Sequence, residues 1–259
     1  MVKRERSGAG DPATVLELLW GIAPAAPRRG PRPALSLERI VRTAIEIADR
    51  DGLEAVTMRR LAQALGVAPM ALYTYVPGKA ELLDLMLDAV YADMPRAPWG
   101  DEGWRQRLTT VAHDNRALFA AHPWAAAVST GRPPLGPGLM AKYEHELSAL
   151  ADAGLDDVET DAALTFVLDF GRTCALAAQD ARAADRDSGM SDAQWWSANA
   201  PLLARILDAD AFPTAARVGT AAGAAQGGAY SAERAWQFGL ERVLDGLAAL
   251  IERTAANEP

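Results

Sequence analysis

The sequence predicts an all-α protein. Leucine and alanine recur at helical spacing along most of the 259 residues, runs that alternate apolar and polar residues are absent, and Pro/Gly clusters fall between the periodic segments. About ten helices follow from this pattern.

The first candidate is the short amphipathic stretch "PATVLELLWGI". It precedes the linker "APAAPRRGPRPAL", whose prolines cannot propagate a helix and which carries Arg28, Arg29 and Arg32. Ser36 then reads as the N-cap of a helix of about four turns with the apolar stripe Leu37, Ile40, Val41, Ala44, Ile45 and Ala48, stopped near Gly52. Thr57 can cap the next helix, which buries Leu61, Ala62 and Leu65, and Gly66 supplies the left-handed residue that ends it. Val67 and Leu72 pack a second short helix across the first, with Ala62 small enough to permit the crossing of a helix-turn-helix. Beyond Pro77 and Gly78, "KAELLDLMLDAVYADM" repeats leucine and methionine at helical spacing until Pro95 and Pro98. A domain junction is expected there. It divides the chain into an N-terminal extension (1–35), a three-helix head (36–94) and a larger helical body (95–259).

In the body, helices are expected from near Trp104, Gly138, Asp156 and Ser191, separated by turn-rich stretches such as "STGRPPLGPG". A last helix runs from about Ser231 to Arg253 with an apolar face of Ala235, Phe238, Leu240, Val243, Leu244, Leu247 and Leu250. Between them "TAARVGTAAGAAQGGAY" is rich in Gly and Ala and reads as a mobile loop.

Half the residues are hydrophobic and 23% are charged, the balance of a soluble globular protein. No apolar run approaches the roughly 20 residues that span a bilayer, and "MVKRERSGAGDP" lacks the apolar core of a signal peptide, so a cytoplasmic protein without a membrane partner is expected. The one cysteine, Cys174, cannot form an internal disulfide. The net charge of −8 is unevenly spread: residues 1–79 hold 12 Lys/Arg against 8 Asp/Glu (net +4), and the remainder 14 against 26 (net −12). A basic head on an acidic body favours approach to nucleic acid by the head alone.

The second helix of a helix-turn-helix enters the major groove, so its outer residues must be short enough to let the backbone near the base edges. Ala68, Pro69, Met70, Ala71 and Thr74 meet that demand. The hydroxyls of Tyr73 and Tyr75 suit phosphate oxygens, and Lys79 adds a charge at the N-terminus of the next helix. Arg28, Arg29 and Arg32 belong either to a solvated linker or to an arm entering the adjacent minor groove. If they form an arm, deleting residues 1–33 should weaken DNA binding and flatten its salt dependence.

"TMRRLAQALGVAPMALYTYVPGKAELLDLML", preceded by "IVRTAIEIADRDGLEAV", resembles the tetracycline-repressor family of bacterial transcription regulators over residues 36–94. "WRQRLTTVAHDNRALFAAHP", "GRPPLGPGLMAKYEHELSALADAGL" and "AWQFGLERVLDGLAALIE" extend the likeness to the ligand-binding and dimerising body of the Tet-repressor subgroup. The resemblance implies that Arg59 reads a guanine, that Thr57, Tyr73, Tyr75 and Lys79 contact phosphates, and that Ala68, Pro69, Met70, Ala71 and Thr74 form the recognition face. It implies that the helices from about Asp156 to Ala184 and 231–253 pair with their copies in a four-helix dimer interface, and that a palindromic operator is bound.

The family's tetracycline sensors hold Mg²⁺ with a histidine ahead of a "TRP" turn; the matching "AVSTGRP" places Val128 there, with no histidine near. Other polar contacts of those sensors fall on Val111, Asn115 and Glu146, of which the last two are polar. Tetracycline with magnesium is therefore not the expected inducer, and no metal or cofactor is implied. Trp104, Trp124, Tyr143, Phe166 and Phe170 either line an apolar ligand cavity or belong to plain core, with Asn115 and Glu146 as its convergent polar groups. Cys174 falls on the stripe of Phe166 and Phe170 at i+4 spacing and, counted with them among the ligand-site candidates, reads most simply as a small core residue, with redox sensing the minor reading. His113, His122 and His145 show no metal spacing, and no catalytic constellation is present. The expected protein is a homodimeric repressor released from its operator by a small, largely apolar effector. An activator of the same family, an architectural DNA binder, and a carrier or enzyme with an incidental helical head are the rival readings.

Overall fold

The computed structural model describes residues 6–22, 35–128 and 130–257, so Arg28, Arg29 and Arg32 lie outside the described residues. Within them are twelve α-helices and one 3₁₀ turn. Helix α1 (Pro12–Leu19) starts where the Asp11 carboxylate accepts the Thr14 N–H at 2.9 Å, with Pro12 at the first helical position.

Helices α2 (Leu37–Asp51), α3 (Met58–Leu65) and α4 (Pro69–Leu72) form the head. Ser36 and Thr57 cap the first two through the backbone N–H groups of Arg39 and Arg60, both at 3.2 Å. Gly66 ends α3 at φ +70°, and the Val67 N–H returns to the Ala62 carbonyl at 3.0 Å. That closing bond needs the left-handed residue between its ends, which sets the angle at which α4 leaves. Ile47, outside the predicted α2 stripe, is buried with Ile40, Val41, Ala44 and Ala48, whereas Leu37 and Ile45 sit at the margin.

Helix α5 (Lys79–Ala92) is buried on nearly every side because α1, α2 and α8 all pack against it. It thereby connects the head to helices α6 (Trp104–Ala121), α7 (Pro123–Ala127), α8 (Pro137–Ser148), α9 (Asp157–Ser188) and α12 (Ala232–Asn257). A first core gathers α2 to α5 and α7 around Ile40, Leu61, Leu72, Leu82 and Met86; a second gathers α6, α9 and α12 around Leu108, Leu164, Val167, Trp236 and Leu244.

Helices α5 and α8 approach closely at Gly138 and are joined by a side chain of one capping the other. The Asp88 carboxylate of α5 accepts the N–H groups of Gly138 (3.1 Å) and Leu139 (2.8 Å), so it caps a helix whose own N-cap, Gly136, has no side chain to do so. A Cβ at Gly138 would overlap the Asp88 carbonyl oxygen. Gly138→Ala must therefore separate the two helices, and a loss of at least about 1–3 kcal/mol is expected, as in other overpacked cores. Urea unfolding of the variant measures it.

The segment expected to be a mobile loop is corrected by helix α11 (Pro213–Gln226), which lies beyond α10 (Asp192–Ile206). Alanine's high helix propensity outweighs Gly219 and Gly223, and Pro213 opens the helix at its first position. Gly223 has a packing reason to be there: a Cβ would meet the Trp196 ring of α10 at 2.7 Å.

Candidate nucleic-acid interface and ligand cleft

The head presents one exposed face. Thr57, Arg59, Ala68, Pro69, Met70, Tyr73 and Thr74 are exposed on it, Met70 at 74%, while Leu61, Leu65, Leu72 and Val76 hold it from behind. Ala71 and Tyr75 are half-buried. Arg60 is engaged by Asp51 at 2.5 Å, but Arg59 has no hydrogen-bond or ion-pair partner among the described residues. A guanidinium held out by the first turn of a capped helix, with no competing carboxylate, keeps its full fork of donors for a ligand.

Three sequence-selected groups are used internally. The Thr57 hydroxyl oxygen accepts the cap bond, leaving its own O–H to donate. The Tyr75 O–H donates to the Leu35 carbonyl at 3.1 Å, and Lys79 Nζ lies 3.4 Å from the Leu53 carbonyl. Both tie candidate phosphate-contacting residues to segments flanking α2.

The residues selected for a ligand site do not surround one cavity. Val111 and Glu146 line a cleft with Met94, Pro95, Arg96, Asp114, Lys142 and His145, and Asn115 is joined to it through Glu146. The cleft encloses about 230 Å³ with its mouth and is narrow enough to admit about one water. At its centre is a buried polar cluster: Lys142 Nζ donates to Glu146 at 2.5 Å, and Asn115 Nδ2 donates to Glu146 at 2.6 Å and to the Val111 carbonyl at 2.9 Å. Burial pushes the Lys142 pKa down against the opposing pull of Glu146, and pushes that of Tyr91, beneath the lysine, up to about 12. Arg96 donates to the carbonyls of Tyr91, Ala92 and Met94 at the end of α5, while its buried Nε–H has no partner. Sequence reading missed Lys142 and Arg96; the i, i+4 spacing of Lys142 and Glu146 was the available signal.

Cys174 lines a second groove, of about 450 Å³, with Arg116, Phe119, Gln179 and Trp236; burial raises its thiol pKa, as expected of an unreactive thiol. Phe170 borders it by stacking on Trp236 at 5.5 Å. Trp104 packs on the margin of the second core. Trp124 and Val128 are buried in the first core instead, because the Trp124 indole N–H finds the Asp49 carboxylate of α2 at 2.7 Å and the Val128 carbonyl accepts from Arg172 of α9. Tyr143 and Phe166 face outward on the isolated chain, Tyr143 donating to Asp161 at 2.6 Å. Phe166 on α9 and Phe238 on α12 are 53% and 65% exposed on two helices that pack together. Among the described residues, no three His, Cys, Asp or Glu side chains come together to hold a metal ion.

An exposed helix-turn-helix on a helical body with a small ligand cleft defines a one-component DNA-binding regulator. Residues 40–86 match the family model of bacterial regulatory proteins of the tetR family, and residues 97–251 that of the tetracyclin repressor-like C-terminal domain. The chain therefore belongs to the TetR family. It is 40% identical, over 95% of its length and 89% of the relative's, to the HTH-type transcriptional repressor DrrR1 of Streptomyces coeruleorubidus. It is 32% identical to the class C tetracycline repressor protein of Escherichia coli, over 61% of this chain and 72% of that one. The solved structure of apo ActR from Streptomyces coelicolor superimposes with a TM-score of 0.70 at 28% identity, covering 86% of this chain and 99% of the other; ActR in complex with actinorhodin gives 0.69 at 28%, covering 83% and 96%. The protein is thus a ligand-responsive transcriptional repressor that binds operator DNA as a homodimer and is not an enzyme.

Proposed function

We propose that Arg59 reads a guanine, that the exposed face of Ala68, Pro69, Met70 and Thr74, with Ala71 at its margin, reads neighbouring bases, and that Thr57, Tyr73, Tyr75 and Lys79 bind phosphates of a palindromic operator. The observation that carries this reading is the unpaired Arg59 beside a short, low-charge α4, where apolar contacts and one guanidinium fork read bases without bulky side chains holding the backbone away. Residues 36–94 serve as the DNA-binding domain and 95–259 as the ligand-binding and dimerising domain, with Phe166 and Phe238 covered by the second copy. The protein works in the cytoplasm, where a bacterial operator lies.

The effector enters the Asn115–Glu146–Lys142 cleft. An apolar body would lie against Met94 and Val111, while one or more carbonyl or anionic oxygens take the free Arg96 Nε–H and the Lys142 ammonium. Roughly 300 Å³ or more is needed for such a molecule, so binding must push α8 or the end of α5 aside. Arg96 caps α5, and α5 packs on the head. An effector that prefers the opened cleft therefore also prefers a changed head position, and that difference in affinity is the whole coupling.

A gel shift against DNA immediately upstream of the protein's own coding region, at physiological salt with competitor DNA, tests the reading. A discrete complex is expected, dissolving on addition of a cleft ligand; actinorhodin, named with ActR, is the first to try. No complex with this DNA or with a genomic library would refute operator binding. Replacing Arg28, Arg29 and Arg32 together by alanine should lower the slope of log affinity against log salt if they touch phosphates, by up to about 0.9 for each phosphate no longer neutralised. An unchanged slope leaves them a solvated linker.

A further inference from the structure

We propose that residues 6–22 are an intramolecular strap that holds α5 and α8 together and so keeps the head in its operator-binding position, with Ser7, Trp20 and Asp84 as positioning residues for the repressor response. Asp84, on α5, is fully buried, and all of its hydrogen bonds come from the strap: the Ser7 hydroxyl donates at 2.5 Å, and the Gly8 N–H lies 3.1 and 3.2 Å from its two oxygens. Burial raises the Asp84 pKa while these bonds lower it, so the strap both buries the carboxylate and satisfies it. Gly8 has φ +68°, and a Cβ there would lie 2.7 Å from Cβ of Arg132, so the strap backbone is wedged between α5 and the segment leading into α8. Val15 is buried, and Leu18 and Leu19 pack on the first core. At the far end the Trp20 indole N–H donates to the Leu135 carbonyl at 2.9 Å.

The strap thus touches segment 132–135 at both ends and α5 between them. One turn beyond Asp84, Asp88 caps the start of α8, so two buried carboxylates on one helix bind the strap and α8 into a single block. The ligand cleft opens between the end of α5, α6 and α8. Enlarging it strains the seam that the strap crosses, so every strap contact favours the closed cleft. In a repressor released by its ligand, the closed cleft is the operator-binding state, and the strap raises the ligand preference needed to leave it. This step rests on the effector reading above.

The test needs neither operator nor effector. In the full chain with Cys174→Ala, a spin label on Met70→Cys of α4 reports the distance between the two heads of the dimer. A single narrow distance is expected. Ser7→Ala with Trp20→Phe removes the two side-chain donors but keeps the apolar packing; it should broaden the distribution and add a second maximum, and Asp84→Asn should do the same more weakly. An unchanged distribution in both variants would overturn the strap as a positioning device, and a lowered melting temperature with an unchanged distribution would reduce it to a structural cover. Loss of any inter-head distance in the parent protein would instead count against the dimeric reading.

Discussion

Arg59→Ala should abolish specific operator binding while leaving the dimer folded. The side chain is exposed, leaves the first turn of α3 beside the recognition face, and has no partner among the described residues, so its removal breaks nothing inside the protein. A bidentate arginine–guanine pair discriminates by roughly 1–3 kcal/mol, and a dimer makes the contact twice, so the affinity should fall roughly 30-fold to more than 10⁴-fold. Its neighbour supplies the control. Arg60 is engaged by Asp51 at 2.5 Å and points along the head surface, so Arg60→Ala should change affinity far less. Fluorescence anisotropy on the upstream fragment separates the two, and an Arg59→Ala affinity within about threefold of the parent would remove the base-reading role.

The head was legible because its determinants are local. Ser36, Thr57 and Gly66 each act within four residues of their own positions, and the structure finds all three at helix ends. The body was less so, because its decisive contacts join distant residues. Trp124 is open in the sequence between cavity lining and plain core, and what decides it is a contact 75 residues away: its indole N–H is drawn to Asp49, and the ring goes into the head-side core. Composition misled at α11, where glycine suggested a loop although Gly223 is there to admit Trp196. The amphipathicity of α1 was visible, but not its partner, since Ser7 and Asp84 are 77 positions apart. The Lys142–Glu146 spacing was visible too; what periodicity could not say is that the pair is buried at 6% and 3% exposure.

That burial makes the pair the most sensitive point of the body. Glu146→Leu leaves a buried ammonium without its hydrogen-bonded carboxylate, and Lys142→Met leaves a buried carboxylate with Asn115 as its remaining side-chain donor among the described residues. Each should lower stability by about 3–5 kcal/mol, whereas Lys142→Met with Glu146→Leu removes both charges and should restore most of the loss. The pH dependence carries the sign. Burial already holds the folded-state pKa of Lys142 below its unfolded value, with Glu146 opposing the shift, so removing Glu146 lowers it further. A lysine whose folded pKa is depressed destabilises fully below that pKa, and the penalty is relieved as pH rises through it towards the unfolded value. Glu146→Leu should therefore gain stability relative to the parent as pH rises towards the unfolded lysine pKa, and urea unfolding across a pH series measures the difference. Additive single-variant losses in the double variant, or no pH dependence, would mean that the ion pair is not coupled as its geometry requires. The double variant also separates folding from response: on the proposed effector site it should bind operator as the parent does and fail to release it when ligand is added, because the ammonium offered to the effector and the carboxylate that places it are both gone.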